Sequence, residues 1–178
     1  MLFRSPERGP ALARELAPSA GPEAVALRSA GALPGTATEL YVADTIGELG
    51  LLYRLAGAAL IGGSLVPHGG QNPLEAARLG CPVLLGPHTE NFTAIADRMV
   101  GAGAALRVAD STALAEAAAA VLTDTDRARS MTSAAARIAA DAGALPERMA
   151  AAIEALLPEP SPDGDAAREA AASTGFTG

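Results

Sequence analysis

From residue 24 to residue 108 the sequence alternates short apolar runs with longer stretches of helical spacing. This alternation is what most restricts the fold. Parallel strands need crossover connections, and helices of this length supply them. The runs are AVALRS (24–29), ELYVAD (39–44), AALIGG (58–63), PVLLG (82–86) and AALRV (104–108), and MLF at the start reads as part of a further strand. AALIGG is apolar throughout, which predicts a strand buried on both faces. Helices are predicted over 6–16, from Thr45, from Asn72, over 91–103, and then over 111–122, 124–142 and 144–157. The last stretch, 158–178, is rich in Pro, Ser, Gly and acid and is expected to be a disordered tail. The expected organisation is therefore an α/β domain over 1–157, with a parallel sheet flanked by helices, a helical C-terminal segment and the tail.

Composition narrows the chemistry. Apolar residues make up 49% of the 178 but aromatic residues only 3%, and many of the apolar ones are alanine. Thin, closely packed helices follow. The net charge is −7 and every basic residue is arginine, with no basic run. Broad nucleic-acid binding is not expected, whereas an arginine pocket for one phosphate or carboxylate is compatible. Cys81, the single cysteine, cannot form an internal disulfide or a metal cluster and reads as a small buried hydrophobe. MLFRSPERG lacks the apolar core of a signal peptide, and no uncharged apolar run reaches transmembrane length.

Three strand-to-helix junctions, 44–48, 62–75 and 86–91, fall at the carboxyl ends of predicted strands, where open parallel sheets bind ligands. In GGSLVPHGGQNPLE, Gly63 and its neighbours let a ligand approach the backbone, beside Ser64. Asn72, Pro73, Leu74 and Glu75 then open a helix whose free N–H groups suit a phosphate. Glu75 either closes a capping box with Asn72 or accepts the hydroxyls of a ribose. Thr45 and Glu48 have capping-box spacing, which puts Gly47 inside a first helical turn. A glycine there serves either a ligand or tight packing. His68 and His88 either fix their own turns or meet a ligand. Arg4 reaches the same end of the sheet or is simply solvated. Too few carboxylates converge for a metal site.

ADTIGELGLLYRLA, GGSLVPHGGQNPLEAA and GPHTENF, in this order, resemble the C-terminal half of the 3-deoxy-D-manno-octulosonic acid (Kdo) transferases. The resemblance runs from about Arg4 to about Leu157. It implies a GT-B glycosyltransferase fold, in which two Rossmann-like domains face across a cleft and the C-terminal one binds the donor, CMP-Kdo. It also implies a role in lipopolysaccharide assembly of Gram-negative bacteria, at the cytoplasmic face of the inner membrane, with no metal ion. The acceptor, a lipid A precursor, the membrane contact and the general-base glutamate all belong to the family's N-terminal domain. No catalytic residue is therefore carried onto this chain. Donor contacts carried over by motif are Phe3 and Arg4, then Ile46, Gly47 and Glu48, then Asn72, Pro73, Leu74 and Glu75.

The chain departs from the family's pattern in places. Pro-Arg-His reads Phe3-Arg4-Ser5, an aromatic before Asn91 is Glu90, and Gln71 stands where many members have His. The expectation is a donor-binding half, truncated at its N-terminus and inactive alone. A UDP-sugar GT-B transferase or epimerase fragment, and a non-catalytic nucleotide-binding remnant, are the alternatives.

Overall fold

The computed structural model describes residues 6–143 and 145–156. Phe3, Arg4, Ser5 and the 158–178 segment lie outside them. The chain divides at Ala139/Ala140 into two compact units. The first holds every strand described below. The second comprises the end of one long helix and the helix after it.

Five strands form where the apolar runs predict them. β1 (Val25–Leu27) pairs in parallel with β2 (Leu40–Val42), Val25 opposite Leu40. β3 (Ala59–Leu60), β4 (Val83–Leu85) and β5 (Ala105–Arg107) form a second parallel sheet in the order β3-β4-β5. Parallel sheets flanked by helices are thus the architecture. The helices are α1 (Gly9–Ala20), α2 (Leu49–Leu55), α3 (Leu74–Arg78), α4 (Thr93–Gly101), α5 (Ser111–Thr123), α6 (Thr125–Gly143) and α7 (Leu145–Glu154). α1 runs four residues past its predicted end, through Pro18. That proline forfeits one backbone bond without stopping the helix so near its terminus.

β4 is the centre of the core. Its three residues are all buried, and they alternate across the pleat. Val83 and Leu85 pack with Ala76 and Ala77 of α3, Ala96 and Met99 of α4, and Ala134, Ala135 and Ile138 of α6. Leu84 faces the other way, onto Val121 of α5 and Met131 of α6. Alanines at most contact points let the helix backbones come close, as the composition suggested. Cys81 belongs to the first cluster and is fully buried. α5 starts on a working cap: the Asp110 carboxylate accepts from the Ala113 N–H at 2.9 Å.

β3 corrects an expectation. It is not buried on both faces: Ala59 is half-buried and Leu60 is 37% exposed. The reason is its place in the sheet, since among the described residues β3 pairs only with β4. An edge strand need not be covered on both sides, however apolar its sequence.

Candidate functional site

The β2–α2 junction is built differently from its sequence pattern. Thr45 and Glu48 do not close a capping box, and α2 begins only at Leu49, with no side-chain cap. The Glu48 carboxylate is drawn instead to Arg28, just past the end of β1. Arg28 Nε donates to both carboxylate oxygens, at 3.1 and 3.0 Å, and Nη2 donates to Oε1 at 2.7 Å. The Thr45 hydroxyl donates to Oε2. Hydrogen bonds from Arg28 and then Thr45 hold the Glu48 acid down at about 2. Gly47 therefore precedes the helix, and its φ of 93° is a left-handed conformation that glycine adopts without strain.

The neighbouring acid is held from the same place. Ser29 donates to Asp44 through its N–H at 2.8 Å and its hydroxyl at 2.6 Å. Asp44 is 1% exposed. Burial pushes its acid up, but the two Ser29 bonds together with the Asp44 backbone N–H outweigh this and leave it lowered from the ordinary carboxylate value.

The glycine-rich segment leaves β3 as a series of turns tied to the end of β4. Ser64 is completely buried; its hydroxyl donates to the Ile61 carbonyl at 2.6 Å and accepts from the Gly86 N–H at 2.9 Å. Asn91 Nδ2 donates to the carbonyls of His68 and Gly70, at 3.3 and 3.4 Å. Arg107 secures the facing loop, donating to the Gly86 carbonyl, the Thr89 hydroxyl and the Asp97 carboxylate. Gly63 has φ 73°, which accounts for glycine there. Gly62 has no positive φ, and a Cβ on it would meet nothing within 4 Å. Neither its own backbone nor its neighbours require glycine at 62.

Asn72 opens the next turn by accepting from the Leu74 N–H at 3.1 Å. Glu75 does not return to Asn72: its carboxylate is exposed and makes no hydrogen bond among the described residues. α3 has only five residues. A helix dipole is summed over aligned peptides, so the dipole expected at this junction is small. Unpaired N–H groups remain, but a fixed positive charge must come from a side chain.

One open cavity of about 1200 Å³ joins these pieces. Its lining includes the polar residues Glu48, His68, Gln71, Asn72 and Glu75 with Arg8 and Arg28, then Gly62 and Gly63, and otherwise mainly Leu, Ala and Tyr. It thus gathers four of the expected contacts, Glu48, Gly63, Asn72 and Glu75. Ser64 and Pro73 are buried beneath it and do not line it. Ile46 is 82% exposed, and with Gly47 and Leu74 it is also absent from the lining. Phe3 and Arg4 lie outside the described residues. The sequence reading missed Arg8 and Arg28, while Gly62 belongs to the glycine stretch it singled out. Arg8 makes no ion pair or side-chain hydrogen bond among the described residues. His88 does not line the cavity; its Nδ1 lies 3.4 Å from a Glu90 oxygen. No group of three or more His, Cys, Asp or Glu able to hold a metal ion occurs among the described residues.

No family model matches the chain. Among curated proteins, it is 41% identical over 146 residues to the 3-deoxy-D-manno-octulosonic acid transferase of Bordetella pertussis, covering 81% of this chain and 34% of that protein. The enzyme of the same name from Haemophilus influenzae is 43% identical over 81 residues, 46% of this chain and 19% of that one. A solved structure, the C-terminal CMP-Kdo binding domain of WaaA from Acinetobacter baumannii, superposes with a TM-score of 0.70 at 31% identity. The match covers 76% of this chain and 69% of that domain. The chain belongs to the Kdo transferase family. It spans about a third of the length of the Bordetella transferase, and the Kdo transferase domain it matches is a C-terminal one. The cavity lining includes residues just past the ends of β1, β2 and β3, where open parallel folds take ligands.

Proposed function

We propose that this chain is the donor-binding half of a Kdo transferase of lipopolysaccharide assembly, and that its cavity takes the CMP part of CMP-Kdo. What carries the reading is the likeness to the C-terminal CMP-Kdo binding domain over 76% of the chain. The free Glu75 carboxylate in the cavity lining supports it. In the proposed pose Glu75 accepts from the ribose, and Glu48 and Asn72 line the same cavity. The phosphate lies over Gly62 and Gly63, against free peptide N–H groups, with Arg8 and Arg4 as the cations.

The reaction proposed for the whole enzyme transfers Kdo from CMP-Kdo to a hydroxyl of a lipid A precursor, releasing CMP. The C–O bond between Kdo and phosphate breaks, and a new one forms to the acceptor oxygen. Charge on the departing phosphate is met by arginine and N–H groups, so the scheme calls for no metal ion. The base that removes the acceptor proton, the lipid A precursor itself and the inner-membrane contact are assigned to the family's N-terminal half. Among the described residues, no helix is long and apolar enough to cross a membrane.

Calorimetry of the 178-residue chain with CMP, UMP and UDP tests the donor assignment. Saturable binding of CMP, with much weaker binding of UMP and UDP, is expected. Binding of UDP without CMP overturns it. Adding a family N-terminal half in trans should then restore transfer of Kdo to lipid A precursor.

A further inference from the structure

Arg28 and Glu48 are 20 residues apart and come from different elements. Arg28 opens the turn after β1, and Glu48 ends the bend between β2 and α2. The guanidinium meets the carboxylate through three contacts of 2.7 to 3.1 Å, and the Thr45 hydroxyl takes Oε2 from the other side. Both side chains are about one-third exposed, at 34% and 29%, and both line the cavity. Ion pairs this open to solvent contribute little to stability. A two-pronged fork, on the other hand, fixes a carboxylate in orientation as well as in charge.

We infer that Arg28 is a positioning residue of the donor site: its fork, with the Thr45 hydroxyl, aims the Glu48 carboxylate into the cavity as a fixed hydrogen-bond acceptor for one of the two ribose hydroxyls of the bound nucleotide. This rests on the donor-binding reading above. A carboxylate has about four acceptor positions. Nε and Nη2 meet Oε1, and the shared Nε and the Thr45 hydroxyl meet Oε2. The Glu48 side chain is nonetheless 29% exposed and lines the cavity, so part of the carboxylate stays open to a ligand. The hydrogen bonds from Arg28 and Thr45 also keep the Glu48 acid at about 2, so at neutral pH it only accepts. Asp44, the other acid of the same bend, is held by Ser29, buried and absent from the cavity lining, and cannot take over this role. Lysine could supply the charge at position 28 but not the planar fork.

The test is CMP calorimetry on the full 178-residue chain as wild type, Arg28→Ala, Arg28→Lys, Glu48→Ala and the Arg28→Ala/Glu48→Ala double variant, with a melting temperature for each. Arg28→Ala and Glu48→Ala are each expected to weaken CMP binding about tenfold, the scale of one charge-assisted hydrogen bond. The double variant should be no weaker than Glu48→Ala alone, because Arg28 acts through Glu48. Arg28→Lys should fall between wild type and Arg28→Ala. A lower melting temperature with unchanged CMP affinity would show a purely structural pair and overturn the inference, as would losses that add in the double variant. If Arg28→Ala does not fold, Arg28→Lys decides, and wild-type affinity in it overturns the inference. Failure of the wild-type chain to bind CMP at all removes the donor reading itself, a result distinct from binding that ignores position 28.

Discussion

The hydroxyl of Ser64 accepts from the Gly86 amide at 2.9 Å while donating to the Ile61 carbonyl at 2.6 Å. A single buried side chain thereby joins the turn after β3 to the end of β4. Ser64→Ala leaves the Gly86 N–H without its partner in a site closed to water. The expected loss is about 1–3 kcal/mol of stability, read from urea denaturation. CMP affinity should fall less than in Glu75→Ala, because Ser64 supports the cavity floor without lining it.

Acid should weaken the fold slightly through Glu48, whose pairing with Arg28 is partly open to solvent. Its acid is held at about 2, against an ordinary 4.5. A depressed carboxylate contributes stability that is fully present above about 4.5 and is lost as pH falls toward 2. Asp44, also lowered, acts in the same direction. Denaturation midpoints measured from pH 7 down to pH 2 should therefore decline below about 4.5. The decline should be shallower in Glu48→Gln. An equally steep decline in that variant would contradict the assignment.

Gly62 and Gly63 should respond oppositely to a side chain. Gly63 has φ 73°, and a Cβ on it would sit 3.0 Å from the His68 ring, so Gly63→Ala should cost about 1–2 kcal/mol of stability. Space around Gly62 is open on the cavity side. Gly62→Val should keep the melting temperature and weaken CMP binding by tenfold or more, through contact with the ligand. Unchanged affinity would remove the phosphate from this segment.

Arg8→Gln should weaken CMP and leave cytidine unaffected, since the guanidinium is proposed to meet the phosphate. The CMP affinity of the wild type should also fall as salt rises, and less steeply in the variant. Equal loss for cytidine and CMP would place Arg8 elsewhere in the site.

Sequence alone gave away the elements whose cause is local. The five apolar runs became five strands, and α5 and α6 start within a residue of expectation, because Asp110 and Asp124 cap through bonds to residues three ahead. Features decided by distant partners were not legible. Thr45 and Glu48 have ideal box spacing, but an arginine 20 positions upstream offers the carboxylate a stronger partner than a helix N–H. Leu60 looks like core until the sheet order puts β3 at an edge. Arg8 and Arg28 became candidates only when the fold placed them on one cavity with Glu75. The motif resemblance singled out Glu48, Asn72 and Glu75, but it does not separate residues that line the cavity from those buried under it, such as Pro73.

The central claim is where CMP sits. A crystal structure of the 178-residue chain soaked or grown with CMP tests it most directly. The account predicts a ribose hydroxyl within hydrogen-bonding distance of the Glu75 carboxylate and the phosphate over Gly62 and Gly63. Clear density for CMP at any other surface, or an empty cavity at saturating nucleotide, would contradict it.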